Sequence, residues 1–201
     1  LPQSARRTAF WLLVIGAGVS GLASWGLPLQ FIPLFEERGM PHATAILVAA
    51  LQSPAGLGAR LVDLALGPRV RAVTLVTYAA IVAPFVFIGL WWAMKAPPVT
   101  SLEVWIAAAC VAGYGVTTGL ISAARATLPL ELFGPEGYAT LLGRMSLWLN
   151  LVFALSPLLF AALKQAGGLE AVLLSGLIMA LVAGFAFVRL DRLDRNGLRR
   201  P

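Results

Sequence analysis

Charge is what this sequence has least of. Only 12% of its 201 residues are Asp, Glu, Lys or Arg, about half of the roughly 25% usual in soluble domains. A water-soluble fold of this length could bury a good core but would lack the charged side chains to cover it. Cysteine and histidine are scarcer, with one of each, Cys110 and His42. The lone cysteine excludes a disulfide framework, and no group of histidine, cysteine and carboxylates has the spacing of a metal site. The glycines at Gly113, Gly115 and Gly119 follow no strand, so they are not a dinucleotide fingerprint. No cofactor is expected. Alternation of apolar and polar residues over roughly ten positions is also missing, which excludes the strands of a membrane barrel.

Long apolar runs are what the chain does have. Hydrophobic residues make up 59% of it, and the mean hydropathy is +0.86. A bilayer core takes about 20 mostly apolar residues of helix to cross. Six segments meet that length, at about 9–35, 43–66, 72–94, 103–124, 138–163 and 169–189, with the fourth reaching toward Leu130 and a basic tail over 190–201. The expectation is an all-α polytopic membrane protein of six transmembrane helices joined by short loops with glycine and proline breakers. Arg6-Arg7 and the apolar stretch after them do not read as a signal peptide, because the run to Phe35 is too long. The chain opens on Leu1 rather than methionine, which fits a fragment or a processed product.

The net charge of +6 and pI near 10.4 would suggest nucleic acid in a soluble protein. Here the basic residues cluster between apolar runs without interleaved aromatics, so no nucleic-acid partner is expected. Their distribution instead sets orientation. With the N-terminus inside, twelve arginines fall on the cytoplasmic side and Arg38, Lys95 and Lys164 on the other, while the acidic residues divide five against four. This is the positive-inside pattern with both ends cytoplasmic.

Polar residues inside spans are costly and tend to face a bundle interior or water. The first segment holds Ser20, Ser24 and Gln30 among Pro28 and Pro33, and the second Gln52 and Ser53 before Pro54. The fourth holds Thr117, Thr118 and Ser122, and the fifth Ser146, Asn150 and Ser156 before Pro157. The third and sixth have little. Ser24, Gln30, Gln52, Thr118 and Asn150 are the candidates to line a cavity; for each hydroxyl the alternative is a bond to its own helix backbone. Gly16, Gly18, Gly113, Gly115 and Gly119 suit close helix packing. An enzyme is not expected. Gly18-Val19-Ser20-Gly21 matches the serine motif of intramembrane proteases, but the only histidine sits in the first external loop.

Between the second and third segments the chain reads Gly58-Ala59-Arg60-Leu61-Val62-Asp63-Leu64-Ala65-Leu66-Gly67-Pro68-Arg69-Val70-Arg71. A second stretch carries Arg125, Pro129, Glu131, Gly134 and Tyr138 and leads to Gly143-Arg144. The first resembles the glycine, aspartate, glycine and arginine loop motif of the major facilitator superfamily, with one residue added before Gly67 and Leu64 in place of a basic residue. The second resembles the loop between helices ten and eleven of bacterial members. Over nearly its whole length the chain is similar to the C-terminal six-helix half of such a transporter.

The resemblance implies two three-helix repeats in a bacterial inner membrane and secondary transport of a small solute by alternating access, with a coupling ion as a further candidate partner. The cavity would be shared with a second six-helix bundle. Gly58, Arg60, Asp63, Gly67, Arg69, Arg71, Arg125, Glu131 and Arg144 would form a cytoplasmic gating cluster. Arg60 and Asp63, three apart on a helix, are placed to pair, and Arg69 and Arg71 to meet phospholipid headgroups or Glu131. The plainer reading of the cluster is that it only fixes topology. The alternative for the whole chain is a stand-alone six-helix protein that oligomerises with further copies of itself as a scaffold or channel.

Overall fold

A computed structural model describes residues 3–95, 100–135 and 138–198, and all of the regular structure there is helical. Six helical rods follow one another. The first is α1 (Gln3–Gly26) continued by α2 (Pro28–Glu37), and the second is α3 (His42–Ala50) continued by α4 (Gln52–Leu66). Then come α5 (Ala72–Ala93), α6 (Ser101–Phe133) and α7 (Tyr138–Leu198). The last holds two rods, 138–166 and 169–198, because Gly167 and Gly168 leave helical geometry; Gly168 takes φ 62°, open to glycine at little cost. Stretches long and apolar enough to cross a membrane are Arg6–Gly26, His42–Leu66, Ala72–Ala93, Ser101–Phe133 and Tyr138–Asn196. The chain reads as a multi-pass membrane protein.

The expected first and second segments are each interrupted. Pro28 has no N–H to give the Ser24 carbonyl and Pro54 none for Ala50, so each rod loses a helical hydrogen bond there, while Leu27 and Leu51 keep helical backbone angles. The fourth helix runs well past 124, to Phe133. The helix expected to end at 189 continues through the anticipated tail to Leu198, with Asp191 and Asp194 buried. Arg199 and Arg200 of that tail, Ala96-Pro97-Pro98 and Glu136-Gly137 lie outside the described residues.

Small residues set how the rods pack. α1 lies along α7, where a Cβ on Gly21 would fall 2.0 Å from the Phe153 ring and one on Gly26 2.0 Å from Phe160. The buried Ser156 hydroxyl donates to the Leu22 carbonyl across this contact. α5 packs on the second arm of α7, with Thr77 donating to its own Val73 carbonyl at 2.8 Å and within 3.3 Å of the Phe187 carbonyl. α4 leans on α6 through Gly56, Gly115 and Gly119. The buried core forms two clusters along the bundle. One is built on Phe31, Phe35, Leu90 and Phe160, the other on Leu13, Val76, Leu128 and Phe187. Large apolar side chains such as Leu64, Trp105 and Leu147 stand exposed outside, an arrangement that lipid tolerates and water penalises.

Candidate functional site

Backbone contact between α4 and α6 creates the site. A Cβ on Gly115 would sit 2.2 Å from the Gln52 carbonyl oxygen, and one on Gly119 2.5 Å from that of Gly56. With no side chains between them, the two helices touch at the backbone. On α4, Gln52, Gly56 and Arg60 recur every four residues, so the glycine that makes the contact carries a glutamine and an arginine on either side. On α6, Thr118, Ser122 and Arg125 follow at four and three, again one face.

These side chains and Ser24 and Trp25 of α1 enclose a cavity of about 240 Å³. Two further hollows share its walls. One of about 280 Å³ extends along α4 past Gln52 and Arg60. The other, of about 170 Å³, runs from Ser122 and Arg125 to Ser146 and Asn150 on α7. Three of the five cavity candidates, Ser24, Gln52 and Thr118, therefore meet in one place. Asn150 lies exposed in the adjoining hollow. Gln30, half-buried on α2, lines none of the three.

Hydrogen bonding divides these groups. Ser24 donates to the Ser20 carbonyl at 2.8 Å and Thr118 to that of Tyr114 at 2.9 Å, so both make the backbone bond that was the plainer reading and offer the cavity only lone pairs. Arg60 donates to Ser122 Oγ at 3.3 Å. Arg125 lies over the Phe153 ring, 5.1 Å from its centroid. Below them Tyr114 is 3% exposed and edge-on to Phe31 and Phe87.

The residues expected to act as one gating cluster part company. Arg60 and Arg125 turn into the cavity. Arg60 and Asp63 form no ion pair, because the guanidinium reaches across to α6 instead. Asp63 is half-exposed, Arg69 and Arg144 are exposed, and none of the three makes an ionic contact among the described residues. Gly58 lies within α4 with nothing within 4 Å of an added Cβ, whereas Gly67 takes φ 52° and ends that helix.

Arg71 makes the contact with Glu131 that was one of its two expected fates, its Nε lying 2.8 Å from Oε1. The other oxygen of Glu131 accepts the Ala72 N–H at 3.0 Å. Glu131 thereby caps α5 from another helix, where Arg71 at the cap position offers no side-chain bond. Arg71 Nη1 also lies 2.6 Å from Asp194 Oδ2. The two groups pair by hydrogen bond and by charge. Asp194 is foremost in raising the Arg71 pKa above the ordinary arginine value; partial burial opposes the rise and Glu131 adds to it. The Arg6 guanidinium donates to the Phe133 carbonyl at 2.7 Å. The ends of α1, α6 and α7 and the start of α5 are thus tied together at one end of the bundle, while Lys164 pairs with Glu37 at 2.8 Å elsewhere.

Comparison of the chain with protein-family models, with curated proteins and with solved structures found no match in any of the three. The cavity itself is the firmest guide to function. Sequence reasoning placed Arg60 and Arg125 in a loop motif and gave Trp25 and Tyr114 no role. The spacing of Thr118, Ser122 and Arg125 on one α6 face was the available signal.

Proposed function

We propose that the chain is one six-helix bundle of a secondary transporter that moves a small solute by alternating access. The observation that carries this reading is the gathering of Ser24, Gln52 and Thr118, from three different helices, around one polar cavity within the span of a membrane protein. Polar cavities between helices at membrane depth are where transporters hold their solutes. The motif resemblance to the major facilitator superfamily supports the same reading, with the six rods as two three-helix units. The cavity stays open where Ser53 and Arg60 of α4 are exposed, which favours a second bundle closing it. Asp63 would meet that bundle as a cytoplasmic latch.

Thiol accessibility tests the proposal. Cysteines at Ser24, Gln52 and Thr118 in a Cys110→Ala chain should react with a membrane-impermeant reagent from either side of the membrane. Gln30→Cys should lack that two-sided reactivity. Reaction from one side only, under every condition and at all three positions, excludes alternating access.

A further inference from the structure

The walls of the main cavity carry two guanidinium groups and no carboxylate. Neither Arg60 nor Arg125 forms an ion pair among the described residues. Most of the described carboxylates are engaged elsewhere: Glu36 with His42, Glu37 with Lys164, Glu131 and Asp194 with Arg71, and Asp191 with Arg195, while Glu170 lines a separate hollow beside Phe87 and Trp91. Glu103 is held in the capping box that starts α6. Asp63, the nearest acid in sequence, leaves Arg60 unpaired. Two like charges on one cavity repel one another, and this bundle supplies no counter-ion to them from its described residues.

The neutral groups have the same bias. Ser122 already accepts from Arg60, so its remaining capacity includes a proton to donate, and Gln52 brings an amide N–H₂. We propose that the cavity binds a small oxyanion, carboxylate or phosphate, between Arg60 and Arg125, with Gln52 and Ser122 as neutral donors. Its standing as a transported substrate rests on the transport reading above. A guanidinium fork matches the paired oxygens of a carboxylate or phosphate better than any other side chain does. The cavity of about 240 Å³, with hollows of about 280 and 170 Å³ sharing its walls, has room for a small oxyanion. Arg60 and Trp25 are exposed at the cavity wall, so an anionic lipid headgroup can present the same chemistry as a free solute.

Trp25 gives a readout inside the site. The full chain, reconstituted in phosphatidylcholine vesicles, is titrated with succinate and with inorganic phosphate at fixed ionic strength while tryptophan fluorescence is followed. Choline and glucose serve as cationic and neutral controls. A saturable response to either anion is expected, absent in Trp25→Phe and weakened about ten- to a hundredfold by Arg60→Gln or Arg125→Gln. Arg69→Gln, outside the cavity, should respond as wild type, and Arg60→Lys should lose less than Arg60→Gln because charge is kept.

The same titration in vesicles containing phosphatidylglycerol separates the two sources. If that lipid alone shifts Trp25 emission and blocks succinate, the oxyanion is a headgroup; undiminished succinate binding makes it a solute. No response to either anion or to the lipid, or equal responses in wild type and both glutamine variants, overturns the proposal. Anion binding with one-sided thiol access would keep the site and end the transport reading. Two-sided access with no anion response would do the reverse.

Discussion

Asp194 is 6% exposed, and its one compensating charge among the described residues is Arg71. Removing the arginine strands a buried carboxylate, a change that costs about 3–5 kcal/mol where both partners are fully buried. The Arg71 side chain is 40% exposed, so water moderates the cost to about 1–3 kcal/mol. Arg71→Gln is expected to destabilise more than Glu131→Gln, which keeps an amide oxygen for the Ala72 N–H and loses chiefly the partly exposed charge pairing with Arg71, about 0.5–1 kcal/mol. A double-mutant cycle of Arg71→Gln with Asp194→Asn, read by denaturant unfolding in detergent, should show coupling; additive effects would make the ion pair incidental. The sequence allowed Arg71 to reach Glu131 because both lie at the same membrane edge. The part played by Asp194 was hidden, since that residue was assigned to a solvated tail and only the continuation of α7 buries it.

Helix pairs in lipid gain little from apolar burial, so the fit of small residues decides how closely they approach. Gly119 and Gly58 make a matched pair of tests for α4. A methyl on Gly119 would meet the Gly56 backbone at 2.5 Å, whereas one on Gly58 meets nothing. Gly119→Ala should therefore cost about 1–3 kcal/mol by forcing the helices apart, and should also lower Trp25 sensitivity to anions by widening the cavity. Gly58→Ala should be neutral or stabilising by about 0.5–1 kcal/mol, because alanine suits a helix interior better than glycine. Thermal unfolding of the two variants checks both signs. Equal losses would mean that the α4 and α6 backbones do not touch. The glycines of α6 were legible as packing residues, but which helix they met was not.

Across the whole molecule, the ionic and polar ties sort the helix ends into two groups. Arg6, Arg71, Glu131 and Asp194 gather at one end, the end that the arginine distribution assigns to the cytoplasm. Glu37 and Lys164 meet at 2.8 Å away from it. Cysteines at Glu37, Lys95 and Gln165, in a chain with Cys110→Ala, should label from outside intact cells. Cysteines at Arg71 and Arg195 should label only after permeabilisation. Outside labelling at Arg71 would reverse the orientation.

The sequence alone was enough to read this chain as helical and membrane-spanning. Apolar runs of spanning length and a shortage of charge are properties of each segment taken alone, because a helix satisfies its own backbone in lipid. It also marked Ser24, Gln52 and Thr118, since a polar side chain in a span is unusual wherever its helix goes. Only the tertiary structure decided that these three share a cavity with Arg60 and Arg125, and that Gln30 stands outside it. That outcome depends on which helices touch and at what rotation, and these are set by the Gly56, Gly115 and Gly119 contact between segments some 60 residues apart. A helix periodicity names the face a residue shares, but the partner of that face is chosen by packing between helices.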